Sequence, residues 1–161
     1  MAWRVVGVSP EYRPPRLILR DYYTSRKNKK FSENFNYYPL EKIKKFVYFP
    51  LQIQPEIAVD AAAPFFANQL ETARQVAMSL PDDYTLVVRD VPVMATSGRR
   101  SCSYLEKLAR TPNVKLIDYR ISPQEVLKQA DLVVSPGGTT LAEAAFYCKP
   151  GIQIGLRLSY E

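Results

Sequence analysis

The sequence predicts an α/β fold in which a mostly parallel sheet is covered by helices on both faces, and three observations carry that prediction. Short β-branched and aromatic runs follow one another from Lys45 onward. Between them lie stretches whose apolar residues recur every three or four positions, the period of a helix. The composition, 161 residues that are 47% apolar and 24% charged, is that of a globular domain rather than a disordered or fibrous chain. The length suits one domain of roughly 100–150 residues with a short appendage.

Phe46–Phe49 is the first strand and breaks at Pro50. A loop punctuated by proline follows. Residues 65–80 set Phe66, Leu70, Ala73, Ala77 and Leu80 on one face of an amphipathic helix that ends at Pro81. Tyr84–Arg89 is the next strand, 91–100 a loop, Ser103–Arg110 a second helix and Val114–Ile117 a third strand. Ser122, Pro123 and Glu125 form a helix start, with Ser122 as N-cap, Pro123 at the first helical position and Glu125 completing a capping box. Leu132–Ser135 is a fourth strand, Pro136–Thr139 a tight loop, Thr140–Tyr147 a helix and Gly151–Ile154 a fifth strand. Strand and helix alternate throughout, which requires right-handed crossovers. The reading is a Rossmann-like, three-layer α/β domain over 46–161, with 1–45 as an irregular N-terminal extension.

Charge is unevenly placed. Residues 1–45 carry 11 basic and 4 acidic side chains, whereas 46–161 carry 11 and 12. The formal charge of +6 therefore belongs to the extension. Its basic residues are interleaved with Tyr12, Tyr22, Tyr23, Phe31, Phe35, Tyr37 and Tyr38. Such a pattern suits nucleic acid, an anionic membrane surface or a partner subunit. It equally suits a solvated connector whose aromatics pack on the neighbouring domain, which is the preferred reading. No nucleic-acid motif is present, so none is expected as a partner.

The chain contains no His, which excludes imidazole metal sites, His-based triads and His proton relays. Cys102 and Cys148 lack metal-ligand spacing, and Cys148, in an apolar helical stretch, is expected as a small core residue. No metal and no cofactor are expected. Met1–Val8 is too short for a secretory signal and no run approaches a membrane span, so the expected location is the cytoplasm, including the inner face of the plasma membrane.

Ligands of an open parallel sheet bind beyond the carboxyl ends of its strands. The loops at 50–64, 89–101, 118–122 and 135–140 are therefore the candidates. Gly137 and Gly138 either simply make the turn or admit a phosphate beside the hydroxyls of Thr139 and Thr140. Glu143 lies one turn further, among small alanines, where it either accepts sugar hydroxyls or complements the helix dipole. Neither a dinucleotide fingerprint nor a Walker loop is present.

The run ADLVVSPGGTTLAEAAFYCKPGIQIG at 130–155 resembles the nucleotide-sugar-binding segment of GT-B glycosyltransferases. In that family a strand ends in a glycine-rich loop, a helix carries a Glu, and a Gly-Lys-Pro turn leads into the next strand. Here Lys149-Pro150 matches and Cys148 stands where Gly is usual. The run FPLQIQPE at 49–56, with Asn68-Gln69-Leu70 and Leu80-Pro81, is similar to the C-terminal half of bacterial capsule and surface polysaccharide biosynthesis proteins. The resemblance spans about 46–155. It implies a nucleotide sugar as substrate, a glycan acceptor, and sugar transfer without a protein-bound metal.

Residue by residue, the resemblance implies that Gly137, Gly138, Thr139 and Thr140 line the donor phosphate or sugar and that Glu143 holds hydroxyls. It sets Tyr119, Arg120 and Ile121 beside the base and Gln54 and Glu56 toward an interdomain cleft. Glu56, Arg89 and Asp90 are the candidate catalytic groups. After the second strand the family has a Lys-Glu-His-Pro-like motif, whereas here Arg89-Asp90-Val91-Pro92 puts Val91 in place of His. An isopropyl group cannot donate to a phosphate, so Arg89, Arg99 or Arg100 is expected to neutralise diphosphate charge by bidentate contact.

Only the donor half of a GT-B enzyme is recognisable. Residues 1–45 are too few for the acceptor half, and the sixth strand and closing helices of the family are not found after the fifth strand. An acceptor domain or partner subunit is therefore expected. The second reading is a non-catalytic remnant or one subunit of a split enzyme. A nucleotide-sugar 2-epimerase, which shares the architecture, is the third, and the missing His argues against it.

Overall fold

The computed structural model describes residues 14–54, 63–137 and 139–155. Five strands form one sheet: β1 (Phe46–Pro50), β2 (Thr85–Arg89), β3 (Val114–Ile117), β4 (Leu132–Ser135) and β5 (Gly151–Gln153). Their order is β3-β2-β1-β4-β5, and every pairing is parallel. β1 lies at the centre and is buried along its whole length, as an unbroken apolar run in a doubly covered sheet must be.

Alternation along β1 divides the core in two. Val47 and Phe49 face one layer with Leu86, Val88, Leu105 and Leu108. Phe46 and Tyr48 face the other with Val87, Ile117, Val126 and Val133. The first layer is roofed by α2 (Gln69–Met78) and α4 (Cys102–Arg110), the second by α5 (Pro123–Gln129) and α6 (Thr140–Phe146). The fold class and strand order along the chain are those the sequence predicts. Helical content differs in detail. The helix expected over 65–80 is a 3-10 turn at Pro64–Phe66 followed by α2, because the Asn68 side chain accepts from Glu71 N–H and starts the helix there. The loop expected at 91–100 contains a short helix, α3 (Pro92–Thr96), seeded by proline at its first position.

Three expectations are corrected. Ser122 does not form a capping box: its hydroxyl donates to the Gln124 side chain instead, leaving Pro123 to set the start of α5. The N-terminal segment is not irregular, since Pro15–Glu33 forms a nineteen-residue helix, α1. Its inner face sets two buried polar groups beside the partly buried Phe31: Asn28 donates to the Gly98 carbonyl (3.0 Å) and Ser32 meets the Tyr37 hydroxyl (3.1 Å). A polar contact stripe has no hydrophobic periodicity to read, which is why the pattern is silent there. Cys148 is not a core residue. It is exposed, at φ 54°, immediately beyond the end of α6. Cys148 N–H donates to Ala145 O and Lys149 N–H to Ala144 O, the paired bonds of a Schellman turn whose central residue must be left-handed.

Two substitutions test this geometry. Cys148→Gly relieves the left-handed strain and is expected to raise stability by about 1 kcal/mol in urea denaturation. Gly98 has φ 68°, and a Cβ on it would overlap the Ser25 carbonyl of α1. Gly98→Ala is expected to cost about 2–3 kcal/mol and to open α1 amides to hydrogen exchange while the sheet stays protected.

Candidate functional site

The strand order locates a ligand crevice. The chain winds outward from β1 through β2 to β3 and then returns to β4 and β5, so its direction switches between β1 and β4. Gln52 and Ser135 occupy the carboxyl ends of those strands and meet across the switch point, with Gln52 Nε2 3.4 Å from Ser135 Oγ. The Ser135 hydroxyl donates to the Gly137 carbonyl (2.6 Å), which folds the first glycine of the loop back onto β4. Gly137 is buried, as is Ser135. Thr139, at the exposed start of α6, donates its hydroxyl to Glu143 Oε1 (3.0 Å). Glu143 and Thr140 are half-buried. The Gly-rich turn, the threonines and Glu143 therefore lie at one end of the sheet beside Gln52. Gly138 and Glu56 lie outside the described residues.

A buried polar cluster braces the same edge. Asp90, directly after β2, is fully buried and receives Arg100 in a fork: Arg100 Nη2 donates to Oδ1 (3.0 Å) and Nε to Oδ2 (3.2 Å). Val91 N–H completes the carboxylate's coordination at 2.8 Å. Arg100 Nη2 also donates to the Gln52 carbonyl (3.1 Å), and its guanidinium lies 4.8 Å from the Tyr104 ring centroid. Burial pushes the Tyr104 phenol up to about 12, so the ring stays neutral beside the cation. Gln69, first residue of α2 and buried, clamps Gln52 from the other side: Gln52 N–H donates to Gln69 Oε1 (2.6 Å) and Gln69 Nε2 to Gln52 O (3.2 Å).

Arg89, the last residue of β2, points into the opposite layer. Its Nη2 donates to the Tyr119 carbonyl and its Nε to the Ile121 carbonyl, each at 2.8 Å. Tyr48 presents its hydroxyl to the same guanidinium. Burial raises the Tyr48 phenol above its ordinary value; Arg89 opposes that shift and the charge of Glu143 adds to it. Tyr119 is buried edge-to-face against Tyr37 (6.1 Å) rather than presented as an open platform. Arg120 pairs with Asp118 and donates to the Glu33 carbonyl of α1. Gln54 donates to the Ala67 carbonyl (2.7 Å). Arg99 is exposed and forms no ion pair among the described residues.

Of the arginines expected at a diphosphate, Arg89 and Arg100 therefore spend their donors inside the fold, and Arg99 alone keeps its guanidinium at the surface. The sequence reading missed Gln69 and Ser135 as organisers of the loop and Tyr48 as a fully buried phenol in the central strand. Gln69 lies within one of the runs that carry the family resemblance, and Tyr48 is the one hydroxyl in an otherwise apolar strand; those were the available signals. A cavity of about 370 Å³ exists at the amino end of the sheet, lined by Tyr38, Lys42, Lys44, Lys45 and Lys115 among others. It lies at the wrong end of a parallel sheet for the chemistry, so the crevice at the switch point is the better candidate site. Among the described residues no three His, Cys, Asp or Glu side chains converge to hold a metal.

Removing the cation from the buried pair tests the brace. Arg100→Met leaves Asp90 buried without its partner and is expected to cost about 3–5 kcal/mol. Asp90→Asn with Arg100→Met should cost much less than the sum of the two single changes, measured as a double-mutant cycle by denaturation.

No protein-family model matches this sequence, and no curated protein matches it. Solved structures do. A KpsC β-Kdo 2,7-transferase from Thermosulfurimonas dismutans superposes with a TM-score of 0.58 at 15% identity, covering 89% of this chain and 43% of that one. A KpsC β-Kdo 2,4-transferase from the same organism gives 0.54 at 14% identity, covering 91% and 47%. The chain spans less than half the length of either structure, and what it shares with that portion of these transferases is the α/β fold, a five-stranded parallel sheet clad in helices.

Proposed function

We propose that this chain is the donor-binding half of a glycosyltransferase of capsular or surface polysaccharide synthesis, acting on a nucleotide sugar. The observation that carries the reading is the placement of the Gly137 loop, Thr139, Thr140 and Glu143 at the switch point of a sheet whose fold matches part of two capsule Kdo transferases. The glycine turn gives a phosphate room to approach the backbone, and Glu143 gives sugar hydroxyls an acceptor once Thr139 is displaced from it. Arg99 supplies the surface cation for diphosphate charge. The glycan acceptor enters from an acceptor domain or partner subunit across the crevice.

A second reading is favoured by one set of contacts. Val91 offers no proton, and Arg89 and Arg100 are held by Tyr119, Ile121, Asp90 and Gln52. A half that binds the donor while a partner supplies the proton-transfer group fits those contacts. Turnover by the isolated chain separates the two.

Thermal melting with millimolar UDP-, GDP- and CMP-sugars tests binding. One of them is expected to raise the melting temperature by a few degrees at about tenfold over its Kd. Glu143→Ala should abolish the rise with the unliganded melting temperature nearly unchanged. Flat curves with all three nucleotide classes would sink the proposal for this chain.

A further inference from the structure

We propose that the outward face of α1 rests on an anionic lipid bilayer. The helix is amphipathic in an inverted sense. Its protein-facing side is anchored by buried polar groups, Asn28 and Ser32, whereas Ile18, Leu19, Tyr22 and Tyr23 are each more than half exposed to water. These four occupy consecutive turns at spacings of one and four, so they form one patch rather than scattered positions. A globular helix spends its apolar residues on the core. α1 seats Phe31 against the core but turns these four outward.

Charge says what covers the patch. Between Pro15 and Glu33 the helix carries six basic and two acidic side chains. Asp21 pairs with Arg20 and Glu33 with Lys29, so Arg16, Arg26, Lys27 and Lys30 have no acidic partner among the described residues. Arg26 lies over the Tyr22 ring, 5.2 Å from its centroid, and donates to the Tyr22 hydroxyl, which keeps cation and ring side by side. The apolar residues occupy the first half of the helix, and Arg26, Lys27 and Lys30 continue the same rows at four-residue spacing into the second half.

A protein-protein interface core is depleted in lysine, so a protein partner fits this composition poorly. Nucleic acid has no use for exposed Ile18 and Leu19. An anionic bilayer uses all of it: aliphatic side chains enter the acyl boundary, tyrosines sit at the headgroup level, and long basic side chains reach the lipid phosphates. No helix among the described residues is long and apolar enough to cross a membrane, so the contact is interfacial. The inference is independent of the donor-binding proposal, because α1 packs on α3 and α4 and its outward residues take no part in the switch-point crevice.

The test is sedimentation of the full chain with vesicles, in parallel with nucleotide-sugar melting. Vesicles of equal parts phosphatidylcholine and phosphatidylglycerol are expected to carry the protein down, and pure phosphatidylcholine vesicles are not. Arg26→Gln with Lys27→Gln and Lys30→Gln should weaken partitioning about a hundredfold, about fivefold for each charge removed. Ile18→Ser with Tyr22→Ser should weaken it at least tenfold at an unchanged melting temperature, since both side chains are exposed. Failure to sediment with the anionic vesicles, equal binding to both compositions, or partitioning indifferent to either set of substitutions overturns the proposal. So does lipid-free self-association abolished by the same substitutions, which would assign the face to a second copy. Glu143→Ala, which tests the donor site, is expected to leave vesicle binding intact.

Discussion

The structure depends on the ion pair between Asp90 and Arg100. A carboxylate with no solvent exposure and a guanidinium almost as buried must satisfy each other or unfold the edge they occupy. They do so with a bidentate fork, one backbone N–H to the carboxylate, and a further Nη2 contact from the guanidinium to the Gln52 carbonyl. That last contact matters beyond the pair. The Gln52 carbonyl also accepts from Gln69, and the Gln52 side chain reaches Ser135, so the ion pair beyond the end of β2 ties together the exit of β1, the start of α2 and the end of β4. The glycine loop is in turn pinned by Ser135. The loop of the proposed donor site is thus set on a polar frame, the arrangement that preorganisation of such a site would require.

Much of this is legible in the sequence, and the division follows from the kind of interaction. β1 to β4 announce themselves because burial on both faces demands unbroken apolar runs, and helices on one face demand a 3.6-residue period. The Gly-Gly pair and Glu143 announce themselves because two glycines after a strand and an acid among alanines are local features of the sequence. What is not legible is long-range polar pairing. Asp90 and Arg100 are ten residues apart, Gln52 and Ser135 eighty-three, and nothing in either neighbourhood names the partner. The same holds for α1, whose seat is made by Asn28, Ser32 and Gly98 rather than by an apolar stripe. Cys148 is an instructive middle case. Its place where glycine is usual was readable, but the reading as core followed the apolar neighbours and ignored the left-handed turn that glycine implies.

Electrostatics then narrows the chemistry. The chain holds 22 basic side chains, and the ones nearest the crevice by sequence are the least available. Arg89 holds the carbonyls of Tyr119 and Ile121, which shapes the loop after β3, while Arg100 holds the carbonyl of Gln52, which shapes the loop after β1. Two arginines that look like phosphate ligands are structural because parallel strands end in carbonyl groups, and a fork of N–H donors satisfies several at once. Donor recognition in the proposed site therefore falls to backbone groups, hydroxyls, Glu143 and Arg99.

α1 carries six basic and two acidic side chains and packs on α3 and α4 beside Gly98 and Cys102. A basic helix over the crevice would attract every nucleotide without discrimination, since screened Coulomb attraction reads charge and not shape. Placed on a helix whose inner face is neutral and hydrogen-bonded to Gly98, the cations work outward only. The domain from Phe46 onward carries nearly balanced charge, so specificity in the proposed site would come from geometry rather than net charge. The +6 of the chain and the shape of its crevice are thus separate properties, carried by separate elements. On the two proposals above, a change in surface charge on α1 would act on membrane contact and a change at Glu143 on donor binding.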